Sequence, residues 1–77
     1  MIPMLSPRVA AGLELAAMLA MSPYASVTDA VALHIFKRSG HLDPAMSLRL
    51  AEEWLLSQGW LRVTERPIRI YTYIGPG

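Results

Sequence analysis

The segment from Leu48 to Ile74 leaves this chain the fewest ways to fold. Leu48, Ala51 and Leu55 recur at helical spacing, and the run they belong to stops at Gly59. That is the pattern of a helix with one inner face and a glycine stop. From Trp60 onward apolar and polar residues alternate, and Glu65-Arg66-Pro67 interrupts the alternation. Two short strands joined by a tight turn are expected, over about residues 60–64 and 68–74, because proline cannot donate to a ladder but suits a hairpin tip. Alternation assigns Leu61, Val63, Ile68, Ile70 and Ile74 to one face. Trp60, Arg62, Thr64, Arg69, Tyr71 and Tyr73 fall on the other.

Upstream the chain reads as helical. Ser6-Pro7 is a cap followed by proline at the first helical position, where its missing N–H costs nothing. The first helix is expected to run to about Met21, with Val9, Leu13, Ala16, Ala17 and Ala20 inward. Leu15, Met18, Leu19 and Met21 widen its apolar surface, so either a partner or the N-terminal arm and Tyr24 must cover more than one side of it. Ser26 is expected to cap a second helix from about Val27 to Arg38, with Asp29 completing a capping box. Its expected inner side is Val27, Ala30, Val31, His34 and Ile35, flanked by Leu33 and Phe36. Lys37 and Arg38 complement its dipole, and Gly40 fits just past its end. Leu42 is expected in the core. Asp43-Pro44 repeats the cap-and-proline start for a third helix ending at Gln58, with Arg49, Glu52, Glu53 and Leu56 on its outer side. Residues 1–5 read as an arm and 75–77 as a tail.

Seventy-seven residues make a single domain, α+β but mostly α, with three helices before a C-terminal hairpin. Charged residues are 17% of the chain against an average of about 25%, so charge is scarce for covering the surface. A homodimer through helix one, centred on Met18, is the simplest way to cover the excess apolar area. Net charge is +1, which gives no global basic field. Cysteine is absent, which excludes disulfides and thiolate metal sites and fits a cytoplasmic location. The apolar run Val9–Met21 contains Glu14 and falls short of the about 20 residues that cross a bilayer, so it reads as a buried or dimer-forming helix rather than a span or signal peptide.

Three helices and a hairpin, with the last helix ending at Gly59 before the bulky pair Trp60-Leu61, resemble the winged helix-turn-helix superfamily. Leu48, Ala51, Leu55, Gly59, Trp60 and Leu61 carry the resemblance, together with the hairpin from Arg62 to Ile74. It spans about Pro7 to Ile74 and is generic. The resemblance implies a compact DNA-binding protein, such as a transcriptional or phage or plasmid regulator, whose third helix is the recognition helix. The chain departs from the pattern in having Glu52 at a commonly apolar position and a long connection from Ser39 to Asp43. Its hairpin tip carries one arginine rather than a basic cluster.

On that reading Arg49 reads guanine and Ser47 reaches a base edge or phosphate, while Lys37, Arg38, His41, Arg62, Arg66 and Arg69 hold backbone phosphates. Asp43, Glu52 and Glu53 oppose it by repelling phosphate. The alternative is a protein-interaction module on the same scaffold, such as a small phage- or mobile-element-encoded, anti-CRISPR-like inhibitor that binds a host complex. Met18, Trp60, Tyr71 and Tyr73 are its expected contacts, since Trp, Tyr and Arg are enriched at interfaces. An enzyme is not expected: Glu52 and Glu53 diverge on a helix, and no nucleophile motif or phosphate-cradling glycine loop is present. His34 and His41 lack partners for a metal site, with His34 read as a core or boundary residue and His41 as a loop residue. No cofactor, membrane or small-molecule ligand is evident.

Overall fold

A computed structural model describes residues 5–76; most of the expected N-terminal arm and the last residue of the tail lie outside them. The order is α1 (Pro7–Ala20), a 3-10 turn (Pro23–Ala25), β1 (Ser26–Thr28), α2 (Asp29–Arg38), α3 (Pro44–Gln58), β2 (Leu61–Thr64) and β3 (Ile70–Tyr73). The fold is α+β and mostly helical. The expected two-stranded hairpin is part of a three-stranded antiparallel sheet in the order β1-β3-β2.

The helix starts follow the capping chemistry. Ser6 Oγ accepts from Val9 N at 3.2 Å, and Asp43 Oδ1 from Met46 N at 3.1 Å. The second helix departs from expectation: Thr28, not Ser26, is its cap, accepting from Val31 N at 3.2 Å. Ser26, Val27 and Thr28 instead form β1, opposite Thr72, Tyr71 and Ile70. A cap-like Ser-Val-Thr run suits either role, and the free edge of β3 decides it by offering a ladder. At the end of α2, His41 N reaches Phe36 O and Gly40 N reaches Lys37 O, both at 3.3 Å. At the end of α3, Trp60 N bonds Leu55 O, with Gly59 at φ 76° in the left-handed region that a side chain would disfavour.

Ala11, Leu15, Ala16, Leu19, Ala32, Phe36, Leu48, Ala51, Leu55, Leu61 and Tyr71 form one buried cluster. The inner face of α3 is the expected one. That of α1 is not: Ala11, Gly12, Leu15, Ala16 and Leu19 are buried, while Leu13, Ala17 and Ala20 are exposed and Val9 is half-buried. In an apolar helix every side offers a hydrophobic stripe, so periodicity cannot orient it. Packing does so through Gly12, which lies against the Trp54 ring where any Cβ would collide. In α2 the buried residues are Ala32 and Phe36, and Ala30, Val31 and His34 face solvent, which corrects the core reading of His34. Leu42, expected inside, is fully exposed. The connection to α3 is fixed by the Gly40 turn and by His41, whose ring stacks on Phe36 at 4.6 Å and takes the inward position.

The hairpin register also departs from expectation. Leu61 pairs with Tyr73, Val63 with Tyr71 and Thr64 with Ile70. Directly paired residues share a face, so Tyr71 and Tyr73 lie with Leu61 and Val63, and Ile70 lies with Arg62 and Thr64. The turn is longer than the tight one expected, taking in residues 65–69 between β2 and β3. An odd-numbered turn, of three residues as expected or five as found, pairs odd positions of β2 with odd positions of β3, whereas the expected faces would have needed an even-numbered one.

Candidate nucleic-acid interface

Helix α3 lies with Leu48, Ala51 and Leu55 in the core, so its other side is left to solvent. There stand Ala45, Met46, Arg49, Glu53, Leu56 and Ser57, with Leu50 half-buried at the margin. The helix axis advances about 1.5 Å per residue, so Ala45 to Glu53 spans about 12 Å of exposed ridge.

Glu52, expected beside Arg49 on the outer side, turns the other way. Its carboxylate receives Arg69 Nη2 at one oxygen and the Tyr71 hydroxyl at the other, the latter at 3.2 Å. Arg69 also donates to Glu65 at 2.7 Å and lies over the Tyr71 ring, 5.7 Å from its centroid. These four residues tie the turn end of the hairpin to α3. Burial holds the Tyr71 hydroxyl above the usual tyrosine range, the neighbouring Glu52 carboxylate adds to the effect, and Arg69 opposes it.

A second polar cluster fixes the start of α3. His41 Nδ1 lies 3.0 Å from Ser47 Oγ, and its Nε2 lies 2.6 Å from Glu14 Oε2 on α1. Both ring nitrogens are occupied, which sets the direction of the 39–43 connection. The sequence marks His41 as a loop residue and a phosphate contact, not as a partner of Glu14, because Glu14 is distant in the chain and nothing in its spacing points to the histidine.

The expected DNA contacts therefore fall into two groups. Lys37, Arg38, Arg49, Arg62 and Arg66 face solvent. His41, Ser47 and Arg69 are engaged in the two clusters above. Among the described residues the ion-paired acids are Glu14, Glu52 and Glu65. Asp29, Asp43 and Glu53 remain, against Arg8, Lys37, Arg38, Arg49, Arg62 and Arg66.

The expected aromatic-basic face of the hairpin does not assemble. Tyr71 is 2% exposed and belongs to the core. Tyr73 is half-buried against it, and Trp60 packs edge-to-face on Trp54 with ring centroids 5.5 Å apart. Arg62 lies on the opposite side of the sheet from Tyr71 and Tyr73. Met18, the expected centre of a dimer surface, is half-buried and packed on the core.

Among the described residues no three His, Asp or Glu side chains cluster as a metal site would need, and no helix is long and apolar enough to cross a membrane. No protein-family model, curated protein or solved structure matches the chain.

Proposed function

We propose that this chain is a winged-helix-type domain that binds double-stranded DNA, with α3 in the major groove and the 65–69 loop as a wing beside the backbone. The order of α2, the 39–43 connection, α3 and a hairpin supports the reading, since a helix-turn-helix presents its second helix to the groove. The observation that carries it is the pairing of Glu52. Turned into the hairpin by Arg69 and Tyr71, it leaves Arg49 as the cation of the outward α3 ridge, with Glu53 as the opposing charge. The repulsion expected from Glu52 is thereby removed.

Lys37, Arg38, Arg62 and Arg66 supply phosphate contacts beside Arg49. Four phosphate contacts give a slope of log affinity against log salt no steeper than about −3.6. Fluorescence anisotropy with a random-sequence duplex at low salt tests this: binding that weakens with added salt is expected, and no binding at low salt overturns the reading.

A second reading, a protein-interaction module, is favoured by the exposed apolar side chains on and beside α3. Leu42 is fully exposed, and Met46 and Leu56 are 46% and 47% exposed. A second copy is the partner proposed for α1. Its outward face is Ala10, Leu13, Ala17, Ala20 and Met21, with Glu14 at its margin held by His41.

A further inference from the structure

The outward ridge of α3 limits which base edges it can read. Bidentate recognition of adenine needs an asparagine or glutamine side chain. The ridge has neither along its N-terminal half: Gln58 is at the far end, next to Ser57 Oγ at 3.4 Å, and Ser47 is held by His41. What faces outward there is Arg49, ringed by Ala45 and Met46 one turn before it and by Leu50 next to it. A guanidinium takes the O6 and N7 of guanine. An apolar side chain in the major groove has one feature to bind, the C5-methyl group of thymine.

Resting on the DNA-binding reading, we infer that α3 recognises a guanine flanked by thymines, which it reads through their methyl groups by way of Ala45, Met46 and Leu50. Residues three and four apart on a helix have Cβ atoms about 5–6 Å apart. Base pairs are stacked about 3.4 Å apart. The thymines therefore lie within about two base pairs of the guanine, on either strand. Glu53, one turn after Arg49, can accept from the amino group of cytosine or adenine but finds no donor on thymine and is repelled by phosphate, so it adds no competing contact to thymine. The apolar ridge thus has a use in the groove that a phosphate-binding face would not need.

The test is selection of the whole protein against a random duplex pool at low salt. Thymines in the enriched duplexes are then replaced one at a time by deoxyuridine, which removes the methyl group and leaves the hydrogen-bonding edge unchanged. Enrichment of thymines beside guanine is expected, with a loss of about fourfold in affinity for each contacted methyl. The Met46→Ala variant should lose part of that discrimination, and because Met46 is 46% exposed its circular dichroism spectrum should be unchanged. Enriched duplexes that bind equally well with deoxyuridine overturn the inference. So does salt-sensitive binding without any enrichment, which leaves the DNA-binding reading standing. No retention of DNA at low salt removes both and turns the apolar ridge towards a protein partner.

Discussion

Gly12 and Trp54 set how closely α1 and α3 approach. The Trp54 ring fills the space above Gly12 where a side chain would begin, and the same ring meets Trp60 edge-to-face. Gly12→Ala forces that ring or the helix backbone to move. A loss of about 1–3 kcal/mol is expected in urea denaturation, in spite of alanine's better helix propensity. Tyr71 gives a second prediction at this scale. Its hydroxyl is held above the usual tyrosine value of 10.0, chiefly by burial. The unfolded chain therefore releases this proton first as pH rises. Above about pH 10 it binds fewer protons than the folded chain, so stability present below that pH is lost on going higher. The urea midpoint should fall between about pH 9 and pH 11, and fall less in Tyr71→Phe.

At the scale of elements, the boundaries of α1 and α3 are legible in the sequence. Ser6-Pro7, Asp43-Pro44 and Gly59 act on their own neighbours through backbone groups that any helix end leaves unpaired. The sheet is less legible. Thr28 both ends β1 and caps α2, two roles that a sequence pattern cannot assign to one residue when Ser26 carries the same chemistry. Thr28→Ala removes the acceptor for Val31 N, and a loss of about 1 kcal/mol in chemical denaturation is expected. Ser26→Ala leaves that cap intact and breaks the 2.8 Å contact with Thr72 Oγ1. The candidate interface divides in the same way. That Arg49 is exposed follows from its spacing against Leu48, Ala51 and Leu55, whereas the inward turn of Glu52 depends on where the hairpin brings Arg69 and Tyr71. The face of the hairpin was misjudged for a related reason: the alternation is clear within each strand, but the length of the turn sets their mutual register.

In the molecule as a whole, apolar surface is exposed on two sides among the described residues. One is the α3 ridge with Leu42. The other is the outward face of α1, where Leu13 is 42% and Met21 87% exposed, continued by Tyr24, which is 96% exposed at a positive φ of 59°. The proposed dimer uses this second face. Leu13→Glu places a carboxylate in its middle without entering the core. A shift to monomer in sedimentation velocity is expected, with the thermal midpoint unchanged at concentrations where the wild type is also monomeric. If Leu13→Glu and wild type sediment alike, α1 is not the dimer surface. Met18→Glu cannot separate these cases, because Met18 packs on the core and the charge would cost folding stability.

The sequence by itself determined the ends of α1 and α3, the glycine stop, the inner face of α3 and the presence of a hairpin. Each is fixed by interactions between residues a few positions apart. Tertiary structure decided which side of α1 and α2 is buried, the third strand, the register of the hairpin, and the pairing of Glu52 with Arg69 and of Glu14 with His41. Those outcomes depend on which distant surfaces meet. An apolar helix or an alternating strand fits more than one such meeting until close packing, as at Gly12 and Trp54, admits a single one.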